Sequence, residues 1–394
     1  MANQAAFTLN SNEIFGSIAN MIISQEVFAD NLGKHQTLVD KARVDGGLYG
    51  DKKLYYATDV LSTSAWGNDA EASNLLALDR PQDPEVQAIT LNKFRQIRLT
   101  VDNYLTKRAW SDEGAFSSFN SVMLGWMRET KKVYDGTHYN VFIGNTVSNI
   151  GGQTVQAGVA AARANASSEE EANRLEAEAI AICLANLLVE MGDYSRDFND
   201  YGYLRSYGED AIKVVWNHKF VNKIKKIDLP TIFHKEGLVD KFDEDVLPER
   251  YFGKPVDLTD SDVKGSGKPI GTDGAYDPTK GMTIRSKVEF QVEVVAAGGR
   301  PARVERHFPG DEIPAGSIVA ASAGDGVDFV ASDLYIEDGD VIAKVLVKLP
   351  PYMSAFEVGT SFFNPRSLTE NHYLTFGHNT LDYLKNYPFI TIKA

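Results

Sequence analysis

Between Val86 and Leu105 apolar and polar residues alternate over an unusual length of chain. Ile89, Leu91, Ile97, Leu99, Val101 and Leu105 share one parity, and Thr90, Asn92, Gln96, Arg98, Thr100 and Asp102 share the other. This is the period of a β-strand. Lys93 and Arg95 interrupt the apolar face. Drawn as one strand, the segment would reach on the order of 60 Å at ~3.3 Å per residue, whereas ordinary strands have about 5–6 residues. A compact body has no room for it. The pattern therefore predicts a hairpin arm, with Lys53–Val60 as its other strand. The connection Leu61–Glu85 is polar, with Trp66 as its one aromatic residue. Connections longer than ~12–15 residues are usually functional or disordered. An arm with so long a tip is expected to be poorly stable alone and to gain stability by lying on a neighbouring molecule.

Helical spacing appears three times. Ile14, Phe15, Ile18, Met21 and Ile22 form one apolar stripe, capped by Asn10 or Ser11 and stopped at Gly33. Phe116, Phe119, Met123, Trp126, Met127 and Tyr134 define a helix from about Asp112 to Tyr134, with Asp135-Gly136 as its expected end and Tyr139–Ile143 as a following strand. Ser168 and Glu171 have the spacing of a capping box and open a helix to about Met191, with Gly192 as its stop. A Tyr- and Asp-rich loop, Asp193–Gly208, comes next. Ala211–Trp216 reads as a buried strand, His218 to about Ile227 as a short helix, and Val246–Phe252 as a further strand.

Gly253–Met282 is rich in Gly, Pro, Asp and Lys and reads as a linker. Beyond it, Arg285–Ala296, Ala302–His307, Ser317–Ala320, Asp328–Ile336 and Val341–Lys348 look like short strands at close spacing, which suggests a small β unit. The tail from Ala355 to Ile392 is also mostly β, turning at Asn364-Pro365.

Composition narrows the function. Lys and Arg number 40 against 54 Asp and Glu, a net charge of −14. A chain that binds nucleic acid over its whole surface would be basic. One cysteine, Cys183, makes no intramolecular disulfide and reads as a core residue; with seven histidines it leaves little for a structural zinc site. No apolar run of ~18 residues predicts a membrane span. The first residues lack the basic and apolar regions of a secretory signal, so cytoplasmic synthesis is expected. Gly265–Lys268 resembles a phosphate loop but lacks its first glycine, and Pro269 stands where Ser or Thr belongs. Asp193, Asp197 and Asp200 could converge on calcium, and Tyr194, Tyr201, Tyr203 and Tyr207 could bind sugar; the plainer alternative is an exposed loop lining a contact or pore. The acidic run Asp325–Asp340 lacks EF-hand spacing, and His372 and His378 lack a third ligand. Lys223, Lys225 and Lys226 could touch phosphate, or form a solvated helix face. No G-x-S-x-G or H-E-x-x-H pattern occurs. No cofactor, metal or catalytic residue is expected.

The order of elements is more informative than any motif. Ala88–Gly114, Val214–Gly237, Val246–Gly253 and Phe362–Thr380, in the sequence N-arm, long hairpin, long helix, α/β core and closing β segment, resemble the major capsid proteins of tailed bacteriophages. The resemblance implies an α+β fold of the Hong Kong-97 type, with an N-arm, an E-loop, a spine helix, and peripheral (P) and axial (A) domains. On it, residues 1–40 are the N-arm, 41–105 the E-loop and its base strands, and 106–150 the spine helix and part of the P domain. Residues 151–253 are then the A domain, 254–350 a linker and β-rich insertion, and 351–394 the closing β segment. Self-assembly into pentamers and hexamers of an icosahedral head around double-stranded DNA is implied, in the virion after assembly in the host cytoplasm. The implied partners are other copies of the chain, a separate scaffolding protein, a portal protein and packaged DNA held non-specifically, with no membrane. Inter-subunit contacts would fall on Trp66, Asp69, Glu71, Arg80, Lys93, Arg95, Tyr194, Tyr201 and Tyr203. Leu61–Glu85 has no lysine, so the covalent cross-link of some relatives is not expected. The alternatives are an encapsulin-like nanocompartment shell and a hydrolase using Asp193–Asp200.

Overall fold

A computed structural model describes residues 37–47, 50–63, 78, 80–102, 113–148, 154–221, 243–255, 283–294, 303–313, 318–320 and 333–394. The first expected helix, Gly265–Lys268, Lys223, Lys225, Lys226 and, of the acidic run, Asp325 and Asp328 lie outside these residues. Contacts divide the chain into two units. The first contains residues 1–51, 91–137 and 353–379; the second contains 52–90, 138–352 and 380–394.

The first unit is built on four strands. β1 (Arg43–Asp45), β15 (Tyr352–Asn364), β16 (Thr369–Thr380) and β4 (Lys93–Asp102) form a sheet in the order β1-β15-β16-β4. β4 runs antiparallel to β16, pairing Lys93 with His378 and Asp102 with Thr369. The turn between β15 and β16 holds Leu368 at φ 53, a left-handed conformation at a non-glycine residue. The short helix α1 (Leu38–Ala42) carries a capping box of Thr37 and Asp40 and buries Leu38, Val39 and Ala42.

The long alternating pattern proves to be two strands. β3 (Glu85–Thr90) and β4 are separated at Leu91 and Asn92. Leu91 is fully buried at this break; its N–H donates to the Asp51 carbonyl at 2.9 Å, and its own carbonyl accepts from Gly50 at 3.1 Å. The parity of apolar positions survives the break, which is why the sequence alone reads as one strand. β2 (Lys52–Ala57) pairs antiparallel with β3 to make the expected hairpin.

The expected helix end at Asp135-Gly136 is also corrected. α2 runs unbroken over 33 residues, Glu113–Asn145, so Tyr139–Ile143 is helical. Asp135 does not stop the helix because its side chain is buried and occupied. Its carboxylate accepts from Lys131 Nζ at 3.2 Å and lies 3.5 Å from Arg43 of β1. The β-branched and aromatic residues beyond are buried on this helix: Tyr139, Val141 and Ile143 are all fully enclosed.

The second unit has a central sheet in the order β5-β17-β14-β6-β7. Its strands are β5 (Thr154–Gln156), β6 (Lys213–Asn217), β7 (Asp243–Leu247), β14 (Val341–Leu346) and β17 (Phe389–Lys393). Every residue of β14 is buried. Helices α3 (Val159–Ala164) and α4 (Glu169–Gly192) follow β5. α4 begins where expected: the Ser168 hydroxyl accepts from the Glu171 N–H at 3.2 Å, while the Glu171 carboxylate reaches back to the Ser167 N–H at 2.8 Å. Its inner face, Ala177, Ile180, Leu184, Leu187, Leu188 and Met191, joins Val214, Trp216, Ile342, Val345, Ile390 and Ile392 of the sheet in one core. On the other sheet face Lys344 donates to Thr391 Oγ1 and to the Thr146 carbonyl just past the end of α2, each at 2.9 Å. Gly144 lets the chain cross α2 closely there, since a methyl group at this position would overlap the Tyr251 carbonyl.

The β-rich stretch Arg285–Lys348 divides between three sheets. β10 (Phe290–Val294), β11 (Arg303–His307) and β12 (Ile318–Ala320) form one, in the order β11-β10-β12. β8 (Gly253–Pro255), β13 (Leu334–Glu337) and β9 (Ile284–Ser286) form the second, and β14 belongs to the central sheet. Gly253–Pro255, read as the start of the linker, is thus a strand; Glu249–Tyr251, read as part of a strand, is a 3-10 turn.

Candidate assembly surfaces

In the hairpin, Tyr55 and Ala57 of β2 fall on one face with Gln87 and Ile89 of β3, and this face packs on its own chain. Ala57 and Ile89 are buried, Gln87 Nε2 donates to the Tyr383 carbonyl at 2.7 Å, and its Oε1 accepts from Lys385 N–H at 3.1 Å. The opposite parity holds Leu54 and Tyr56 of β2 with Val86 and Ala88 of β3, in the register Leu54–Ala88 and Tyr56–Val86. Leu54 is 46% exposed, Tyr56 64% and Val86 47%. Val60, Leu61 and Leu78 beyond the strands are exposed as well. A sheet with one face on a core should be polar on the other; here the exposed face carries Leu54, Tyr56, Val86 and Ala88, the pattern of a contact surface. In the first unit, the end of the β15–β16 hairpin carries a second group, with Phe362, Phe363 and Leu368 exposed.

The two residues that follow β2 are tightly held. Asp59 Oδ2 accepts from Arg196 Nη1 at 2.7 Å, and its Oδ1 accepts from the Leu204 and Val60 N–H groups, each at 2.9 Å. The Arg196 guanidinium, then the Leu204 N–H, bring the Asp59 carboxyl down to about 2. Arg205 Nη2 donates to the Thr58 carbonyl at 2.6 Å and to Asn386 Oδ1 at 3.0 Å. Arg196 also bonds the Gly202 carbonyl, and an antiparallel bridge joins Ser195 to Arg205.

This accounts for the Tyr- and Asp-rich loop. Asp193, Asp197 and Asp200 do not form a cluster able to hold a metal ion, and among the described residues no such group of His, Cys, Asp or Glu occurs. Asp200 accepts a hydrogen bond from the Tyr383 hydroxyl instead. Tyr203 and Tyr207 are buried, with Tyr207 donating to the Asn386 carbonyl. Burial pushes the Tyr207 hydroxyl up to about 12. Tyr194 is 76% exposed, Tyr201 half-buried with its ring 5.4 Å from that of Tyr203.

Of the expected contact residues, Trp66, Asp69 and Glu71 lie outside the described residues. Arg80 and Lys93 are exposed. Arg95 is half-buried and turned inward: its guanidinium lies over the Tyr134 ring and its Nε donates to the Tyr134 hydroxyl at 3.1 Å. That hydroxyl lies 3.1 Å from Nε2 of His378, which is buried. Arg95 and Tyr203 are thus engaged within their own chain. Leu54, Tyr56, Asp59, Arg196, Arg205 and Phe362 were not singled out from the sequence. In β2 the consecutive apolar run Leu54-Tyr55-Tyr56-Ala57, which puts apolar residues on both parities, was the signal available for the exposed face; the arginines carried none.

Among the described residues no helix is long and apolar enough to cross a membrane. No protein-family profile matches the chain, and no curated protein matches its sequence. Solved structures do. A chain in the capsid structure of Staphylococcus phage Andhra aligns over 93% of this chain and 86% of its own length, with a TM-score of 0.55 at 10% identity. A chain in the structure of the head fiber and inner core protein gp22 of native bacteriophage P68 aligns over 94% and 89%, with a TM-score of 0.53 at 10% identity. These likenesses extend over nearly the whole of this chain, so its fold is that of phage capsid proteins. It is a mixed helix and strand fold, as the resemblance in the sequence implied.

Proposed function

We propose that this chain is the major capsid protein of a tailed bacteriophage and builds the shell of the head. Copies join as pentamers and hexamers of an icosahedral shell around double-stranded DNA. A separate scaffolding protein directs assembly and a portal protein occupies one vertex. The role is structural rather than enzymatic, and the chain's place is the virion after assembly in the host cytoplasm. The observation that carries this reading is the hairpin of β2 and β3, whose outer face is apolar and uncovered by its own chain, within a capsid-type fold. A stable contact between proteins buries ~1,200–2,000 Å², and several modest contacts per subunit act together once a ring has formed. The net charge of −14 disfavours tight adhesion to DNA, which suits a wall past which DNA slides during packaging.

Negative-stain microscopy of the expressed chain, alone and with its neighbouring phage genes, tests this. Closed shells or hexamers are the expected result. A particle that stays monomeric at high concentration in both preparations refutes it. Shells that carry protein cargo and never nucleic acid would assign the chain to a nanocompartment instead.

A further inference from the structure

Thr58 and Asp59 directly follow β2, and both are held by arginines from one loop. Thr58 offers its carbonyl to Arg205, and Asp59 offers its carboxylate to Arg196 and to the Leu204 N–H. These are charge-assisted bonds, shorter and stronger than neutral ones. The loop that supplies them is itself fixed: Asn199 Nδ2 donates to the Tyr203 carbonyl at 2.7 Å, and its Oδ1 accepts from the Tyr203 N–H at 2.8 Å. Arg205 Nε and Nη2 both reach Asn386, and its guanidinium lies over the Tyr203 ring. Asp200, Tyr383, Lys385 and Gln87 close the circuit to β3 by hydrogen bonds. A flexible loop would not need this many directed bonds.

We infer that Arg196 and Arg205 act as positioning residues for assembly, clamping Thr58 and Asp59 at the end of β2 so that the outer face of the β2–β3 hairpin is presented in one orientation. The inference rests on the proposed shell function. A hairpin of six paired residues per strand is ~20 Å long. With this end of β2 released, the outer face of β2 and β3 would meet a neighbouring copy in many orientations. Side-chain positions in the clamp thereby select one curvature for the growing shell.

Hydrogen exchange and microscopy on three variants of the full chain, Asp59→Ala, Arg196→Ala and the swap Asp59→Arg with Arg196→Asp, test this. In unassembled subunits, exchange of the β2 and β3 amides should rise at least tenfold in the single variants, with α4 and β14 unchanged. The swap should restore protection at least in part. Particles from the single variants should vary in diameter and include open sheets or tubes, a change of shape that a mere loss of stability does not produce. Unchanged exchange in both single variants overturns the clamp. Loosened hairpins that still give shells of wild-type size and shape overturn its role in curvature. Failure of the wild-type chain to form shells overturns the proposed function and the curvature role with it, while exchange still decides whether the clamp exists.

Discussion

β14 and the β2–β3 hairpin are both strand segments rich in apolar residues, yet their surroundings are opposite. β14 is buried at every position, with α4 against one face and Lys344 reaching Thr146 on the other. The hairpin covers Ala57 and Ile89 and leaves Leu54, Tyr56 and Val86 in solvent. The first segment satisfies itself within its own chain. The second is left incomplete; on the proposed function, a chain that must be a stable subunit before it becomes part of a shell needs both kinds.

Substituting the hairpin's outer face should separate the two most sharply. Leu54→Glu with Tyr56→Glu removes two candidate anchors, and interface anchors are worth ~2 kcal/mol or more each. Assembly should weaken by about a thousandfold, measured by sedimentation of shells against free subunits. The melting curve should barely move, since exposed substitutions cost within about 0.5 kcal/mol. The converse change is Ile342→Ala in β14. It should cost about 2–5 kcal/mol in chemical denaturation, while the fraction that remains folded still assembles.

Lys344 gives a smaller, pH-dependent contrast. Burial, and then the nearby Lys393, brings its ammonium down to about 7, with Asp338 acting the other way. The unfolded chain holds this proton up to ~10.4. Unfolding therefore takes up a proton across the window from about 7 to ~10, so stability rises as pH climbs through it. Lys344→Met should flatten that rise in melts recorded from pH 6 to 10. Asp59 should give the smallest effect, at the acid end. Its clamp should persist at pH 4 and fail as pH falls through about 2, because Arg196 and Leu204 favour the ionised carboxylate. Exchange of the Leu204 amide follows it, and in Asp59→Asn the same step should vanish.

What could be read from sequence depended on how far apart the partners lie. α4 was legible to within a residue because its start signal, Ser168 and Glu171, is local. The hairpin and the β tail were legible through period-two alternation. α2 was cut short because Asp135-Gly136 looks like a stop, and the residues that bury Asp135 include Arg43, distant in the chain. The break at Leu91 was invisible since it preserves parity and is held by the backbone of Gly50 and Asp51. The Asp-rich loop was legible as something structured but not as a clamp. Its arginines find Thr58 and Asp59 more than a hundred residues upstream, and no spacing rule links them.

The ion pair inside α2 has one more implication. Lys131 is buried beneath Phe376, 5.4 Å from its ring centroid, and Asp135 lies one turn further along, both hidden from water. Sliding the helix by a turn would move the pair as a unit, but would take Asp135 from Arg43 and Lys131 from the Phe376 ring, and seat the two charges among groups that do not match them. A greasy rod alone could creep along its bed at little cost; this one is keyed, and when stress falls on it the choice lies between staying in register and letting go altogether.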